Sequence, residues 1–398
     1  SVLFPALKSM GNESVGPIFY LTARGTTRTA AENALAILRD TEPELHLRSV
    51  TLTAKDKICL CETRECTPEA CPYANGYYAR IKGALWDVLD VPCLTAETLQ
   101  EYAERHTVCP FELGLDSSLW SDVIIGDYNY LFDPVVHLVR FFESAGDYIF
   151  LVDEAHNLPG RAREMHSAAL TKTSFYEAKK LLGKGKSSLK NALTKVNDVF
   201  IEWRHRAEEE TAARDGRFGK TFFLKERSEE FDHLLNRLCE PLEAWLDDHR
   251  EPDETHTALL QLYFDVRAWL RVADTFDDHF VLQITASGSE VRAAQLCLDP
   301  SAFLADSFAL GRAAVLFSAT LAPASYYKDL CGVPEARAVA LRSPFPAGNQ
   351  GLFCIGNVST RYKDRDASLA IVEESLATMV RAHCGNYLAF FPSYAYME

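Results

Sequence analysis

Short runs of apolar and β-branched residues, each ended by polar groups, recur along this 398-residue chain. Residues 18–22, 123–127, 148–152, 314–317 and 387–391 have this form. Their length and composition predict strands buried on both faces of a parallel sheet. The groups that follow or end them are Thr22-Ala23-Arg24, Asp127-Tyr128-Asn129, Asp153-Glu154-Ala155-His156, Ser318-Ala319-Thr320 and Ser393-Tyr394. Open α/β sheets bind ligands outside the carboxyl ends of their strands, so the pattern predicts one shared crevice. Two stretches interrupt the strands. Residues 51–118 hold a cysteine cluster, whereas 160–278 carry helical periodicity and few strand signals. Helices are expected over 188–210 and 228–249. In the second, Phe231, Leu234, Leu235, Leu238, Leu242 and Trp245 form an apolar stripe that reads as core. The segment 342–346 looks like a linker, and a second α/β unit is expected after it.

Charge and composition narrow the class. The hydrophobic fraction, 47%, and the charged fraction, 24%, are those of a globular protein, and the length argues for more than one domain. No run of 18 apolar residues occurs, and the first residues lack the basic region and cleavage site of a signal peptide, so a cytoplasmic protein with no membrane partner is expected. A net charge of −15 argues against binding nucleic acid through the overall field. A local basic surface is still available: between Lys172 and Arg206 nine Lys or Arg stand against three acids. A solvated helix face explains that stretch equally well.

The chemistry concentrates at the strand ends. Asp153 and Glu154 follow an apolar strand directly, and adjacent carboxylates at the mouth of a parallel sheet suit Mg²⁺-nucleotide hydrolysis. There the Asp holds the metal and the Glu orients or deprotonates the attacking water. His156 is placed to sense the terminal phosphate. Ser318 and Thr320 end another strand, where hydroxyls reach the acidic motif and couple nucleotide state to domain movement. Either motif alone is weak, since Asp and Glu cap helices and small polar residues end many strands. Their order and separation strengthen both.

Cys59, Cys61, Cys66 and Cys71 lie within thirteen residues, and Cys109-Pro110 follows further on. In a chain with eleven cysteines and no disulfide-scaffold composition, such clustering points to metal binding. By spacing alone, the thiolates suit zinc or a [4Fe–4S] cluster.

The order Leu21-Thr22-Ala23-Arg24, cysteine-rich insertion, Asp153-Glu154-Ala155-His156, helical insertion, Ser318-Ala319-Thr320 resembles the XPD/DinG group of superfamily 2 helicases. The resemblance covers essentially the whole chain. It implies an α/β fold: a RecA-like parallel-sheet motor domain in three pieces, residues 1–50, 119–159 and 279–341. An iron–sulfur insertion occupies 51–118 and a helical arch 160–278, and a second RecA-like domain starts at 342–398. It implies an ATP-dependent DNA helicase, moving 5′ to 3′ on single-stranded or forked DNA in repair or replication, with ATP, Mg²⁺ and a [4Fe–4S] cluster. The family's ligand pattern matches Cys59, Cys66, Cys71 and Cys109, with Cys61 surplus and able to replace Cys59 or Cys66. The cluster's implied role is structural, fixing a wedge where strands separate.

For DNA, Thr22, Arg24, Thr26 and Thr27 precede or open a helix, where hydroxyls, backbone N–H groups and an Arg suit phosphate binding. Helix capping by one Thr is the competing reading. Tyr128 is a candidate for stacking on bases, against a place in the core. One part is missing. No G-x-x-x-x-G-K-[ST] loop occurs, and Gly185-Lys186-Ser187 lacks the first glycine and a preceding strand. The opening residues resemble the helix that follows that loop in the family. The expectation is a fragment of a motor that cannot hydrolyse ATP by itself. A non-catalytic metal-cluster module derived from a helicase, binding nucleic acid, is the alternative.

Overall fold

The alternation within each apolar run divides one sheet between two cores. In the computed structural model, which describes residues 2–12, 16–23, 25–42, 44–183, 187–213, 220–251, 253–343, 345–356 and 358–397, ten strands form two sheets. In chain order they are β1 (Ile18–Thr22), β2 (Ser49–Thr51), β3 (Cys93–Leu94), β4 (Val123–Asp127), β5 (Ile149–Asp153), β6 (Ala168–Thr171), β7 (Lys220–Leu224), β8 (Phe280–Ser287), β9 (Glu290–Cys297) and β10 (Ala313–Phe317). The first sheet is parallel, in the order β10-β5-β1-β4-β2-β3. Side chains alternate across a strand. Phe19, Leu21, Val50, Ile124, Phe150 and Val152 therefore pack into one core, with the cysteine-rich insertion and the short helices after β4 and β5. Ile18, Tyr20, Val123, Ile125, Ile149 and Leu151 pack into the other, against helices Leu3–Asn12 and Gly25–Thr41.

Four of the five expected parallel strands are present, but β10 is not buried. It lies at the sheet edge with Ala313 and Val315 exposed, because no described strand covers its outer side. The cysteine-rich stretch is also less separate than its composition implies. It leaves the sheet after β2 and returns as β3, which pairs Ser49 with Cys93 and Val50 with Leu94.

The second insertion holds strands as well as helices. Strands β6, β9, β8 and β7 form an antiparallel sheet in that order. Helices Lys172–Leu181, Ser188–Ala213, Glu229–Asp248 and Glu254–Thr275 share its core, around Phe175, Phe200, Phe231 and Trp269. A boundary at 278 would cut β7 from its partner β8. The hairpin between β8 and β9 turns on Gly288-Ser289, where Gly288 has φ +61°, a left-handed conformation that favours glycine.

One ionisable group is built into this second core. Asp232 is buried and accepts a hydrogen bond from Trp269 Nε1 at 2.8 Å. Its Oδ2 has no hydrogen-bond partner among the described residues, and Arg227 stands 3.9 Å away. Burial pushes the carboxyl above its ordinary value of 3.8, opposed by the Trp269 bond and by Arg227. The folded state therefore holds this proton to higher pH than the unfolded chain, so the contribution of Asp232 to stability falls as pH rises upward from about 4. Urea unfolding followed across that range should show this loss in the wild type. In Asp232→Asn, which cannot ionise, this component should be absent.

Residues 338–398 form a second compact unit, built on helix Arg365–Ala382 and a final turn, Tyr394–Met397. Arg365 lies over the rings of Tyr362 and Tyr396. The expected strand at 387–391 is not formed. Leu388 and Phe390 are largely exposed, and no described residue of this unit is in a strand, so nothing accepts the backbone hydrogen bonds a strand requires. Among the described residues, no helix is long and apolar enough to cross a membrane.

Candidate active site and thiol cluster

Parallel pairing brings the ends of β1, β4, β5 and β10 to one edge: Thr22 is in register with Asp127, and Phe317 with Asp153. At that edge β5 stops on Asp153, and Glu154 turns into the left-handed region, with φ 50° and ψ 39°. A non-glycine residue held there is uncommon, and such strain gathers at functional sites. The fully buried Ala155 and Leu158 anchor the turn, which runs through Ala155–Asn157 into helix Leu158–Met165.

This geometry brings two side chains to Ser318. Its Oγ lies 2.7 Å from His156 Nδ1 and 3.3 Å from Glu154 Oε2. His156 Nδ1 is itself 3.3 Å from that glutamate oxygen. The backbone N–H of Thr320 donates to Ser318 Oγ at 3.2 Å, and the two hydroxyl oxygens are 3.5 Å apart. Residues separated by more than 160 positions thus meet through hydrogen bonds. Asp153, Glu154, His156, Ser318 and Thr320 occupy one locality, as their order in the sequence led us to expect.

Asp153 is held from several sides. The Tyr20 hydroxyl donates to its Oδ2 at 2.6 Å, and the Glu154 N–H donates to its Oδ1 at 2.8 Å. The Tyr128 hydroxyl donates to its backbone carbonyl. Burial first, and then the negative charge of Asp153, push both phenols above the ordinary tyrosine range, so both remain protonated donors.

Tyr128 is therefore not a base-stacking residue in this structure. It is fully buried, with Tyr130 and Phe132 close to it in exposure. Its ring packs edge-on against Phe132. The core reading holds because the residue directly after a buried strand is drawn under the turn that Asp153 begins. Thr22 is also fully buried, and its hydroxyl meets that of Thr27 across the start of the helix, so it orders the turn and offers no surface to a phosphate. Arg24 lies outside the described residues, as does the side chain of Thr26. Thr27 is part-exposed. Beside them Arg28 pairs with Asp127 at 3.5 Å and donates to the Leu52 carbonyl at 3.3 Å. Sequence reasoning passed over Tyr20 altogether. The available signal was a hydroxyl within an otherwise apolar buried strand, since a buried polar atom needs a partner.

In the cysteine-rich insertion, Cys61 Sγ and Cys71 Sγ are 3.8 Å apart, and Cys71 is buried. Desolvation, then Cys71 and Cys59, push the Cys61 thiol up to about 11. Cys109 caps helix Pro110–Ser117. Burial raises its thiol, while the N–H groups of Glu112 and Phe111 and the Lys55 ammonium oppose the rise. Lys55 reaches Glu112 at 3.4 Å; although its own desolvation opposes this, Cys66, Glu112 and Cys109 hold its pKa above the ordinary value. Arg80 ties the two parts of the insertion together, donating to the Pro72 carbonyl at 3.0 Å and the Thr107 carbonyl at 2.9 Å. Those carbonyls lie beside Cys71 and Cys109 in the chain. Cys59, Cys61 and Cys71 thus act on one another, and Cys66 and Cys109 both act on Lys55. Among the described residues, however, no three His, Cys, Asp or Glu side chains are set to hold a single metal ion.

The sheet is parallel and α/β in setting, and its carboxyl edge carries Asp-Glu, His and paired hydroxyls, a donor set that suits a nucleotide site. The DEAD_2 family model matches residues 40–175, which include the cysteine cluster and the acidic strand end. The chain is 25% identical over 376 residues to the general transcription and DNA repair factor IIH helicase subunit XPD of Schizosaccharomyces pombe, covering 76% of this chain and 48% of that protein. It is 27% identical over 157 residues to the regulator of telomere elongation helicase 1 homolog of Anopheles gambiae, covering 36% and 16%. A solved XPD helicase structure shares the fold with a TM-score of 0.55, at 17% identity over 96% of this chain and 65% of that one. The chain is thus similar in sequence to XPD helicase subunits and shares the fold of a solved XPD helicase. It spans about half the length of the XPD relatives it matches.

Proposed function

We propose that this chain supplies the acidic and coupling half of the nucleotide site of an ATP-dependent DNA helicase acting in repair or replication. The observation that carries the reading is the contact of Ser318 with both His156 and Glu154. Asp153 would hold the magnesium of a bound nucleotide, which would supply neutralisation of the phosphate charge. Glu154, at the left-handed turn that follows β5, orients the attacking water and accepts its proton. His156 and Ser318 transmit the state of the site to the strand that carries Thr320. The loop that would cradle the phosphates does not occur in these 398 residues, so turnover is proposed for the complete gene product and not for this chain by itself.

Cys59, Cys66, Cys71 and Cys109 are proposed to hold a [4Fe–4S] cluster, which would tie the loop after helix Lys55–Ile58 to the start of helix Pro110–Ser117. In this reading the insertion is a wedge beside the DNA path. Arg24, Thr26 and Thr27 hold the backbone of a single or forked strand, and movement is 5′ to 3′.

Ser318→Ala tests the coupling. It removes the hydroxyl shared by His156 and Glu154 while leaving Asp153 and Glu154 in place. We expect ATP hydrolysis within about 10-fold of wild type and a greater loss of unwinding, read as base pairs opened per ATP consumed on a forked duplex. An unchanged ratio would remove Ser318 from the coupling path.

A further inference from the structure

We infer that Tyr20 is the positioning residue for the metal-binding carboxylate, fixing Asp153 through a hydrogen bond from the neighbouring strand. The inference rests on the proposed role of Asp153. Its geometry follows from the register of the sheet. Tyr20 is paired with Leu151 on β5, and Asp153 lies two residues further along. Side chains two apart share a face, so the tyrosine and the aspartate are diagonal neighbours across parallel strands. A phenol is long enough to span that diagonal, and its hydroxyl arrives at Asp153 Oδ2 at 2.6 Å.

The ring is fixed before it makes this bond. Tyr20 is 5% exposed, and its ring packs edge-on against Phe317, with centroids 6.0 Å apart. Phe317 is the residue of β10 in register with Asp153. The opposite carboxylate oxygen takes the Glu154 N–H at 2.8 Å. The two donors, one on each oxygen, fix the plane of the carboxylate. A ligand so held loses less rotational freedom when it binds a cation. Groups that orient a metal ligand typically change metal affinity or activity by about 10–100-fold when removed.

Tyr20→Phe keeps the ring and its packing and removes only the hydroxyl. In the complete gene product, we expect the Mg²⁺ concentration for half-maximal DNA-stimulated ATP hydrolysis to rise by about 10-fold or more. Mn²⁺ affinity in the presence of ADP, read by electron paramagnetic resonance, should weaken in step. The thermal unfolding midpoint reports whether packing is kept. Because the hydroxyl acts through the metal-binding carboxylate, Tyr20→Phe should leave ADP affinity measured without a divalent cation within about twofold of wild type. Wild-type metal dependence in Tyr20→Phe would overturn the inference alone, as would an equal loss of ADP affinity in the absence of the cation. A wild-type protein with no magnesium-dependent turnover would overturn the proposed function, and this inference with it.

Discussion

Glu154→Gln should lower ATP turnover of the complete gene product by about 10²–10⁴-fold, the range that a positioned general base contributes. The amide keeps the size of the carboxylate and much of its hydrogen bonding to Ser318, so the nucleotide should still bind. Phosphate release and binding of a fluorescent nucleotide, measured on the same preparation, separate the two effects. The expected pattern is a collapse of kcat with nucleotide affinity changed by only a few fold, since the lost interaction belongs to the transition state. Asp153→Ala should differ: without its carboxylate the site loses the metal, and the tyrosine and backbone donors around it lose their acceptor. A Glu154→Gln protein with wild-type turnover would remove this residue from the chemistry.

Cys109→Ser should abolish the cluster. Cys109 is the one proposed ligand supplied from the far side of the insertion, at the cap of helix Pro110–Ser117. Its loss leaves four thiols that all come from the 59–71 loop, with none from the far side to close the cluster. In anaerobic preparations the wild type should hold about four iron atoms per chain with a broad charge-transfer absorption, and Cys109→Ser less than about one. Residues 59–76 form turns and no helix or strand, so without the metal this loop should become a site of proteolytic cleavage. One zinc and no iron in the wild type would overturn the iron–sulfur assignment. Cys66→Ser and Cys61→Ser measured alongside show which of the two supplies the remaining ligand.

The legible parts of this molecule were those with a strong local cause. β1, β4 and β5 are short, apolar on both faces and bounded by polar groups, so the run itself reports burial in a parallel sheet. The order of the acidic and hydroxyl motifs forecast a meeting that spacing alone could not give, because Ser318 and His156 approach only after the whole second insertion has folded away. β8 was legible and overlooked: Phe280, Leu282, Ile284 and Ala286 alternate inward, and Gly288-Ser289 follows as a hairpin turn. β2 and β3 are too short to carry a period. The run at 387–391 has strand composition, but composition does not supply the neighbouring strand, and without one Leu388 and Phe390 stay exposed. The readings of Thr22 and Tyr128 failed for a shared reason. Both are polar side chains at strand ends, where sequence cannot distinguish a group facing a ligand from one turned inward to fix the turn.

The central claim is that the carboxylate pair and the hydroxyl beside it drive strand separation. Unwinding of a forked DNA duplex by the complete gene product, with ATP and Mg²⁺, tests it most directly when wild type is compared with Glu154→Gln. ATP-dependent unwinding in the wild type and none above background in the variant is the predicted result. Equal opening of the fork by both proteins, or binding of DNA without any ATP-dependent opening by the wild type, would contradict the account and favour a metal-holding nucleic-acid-binding module.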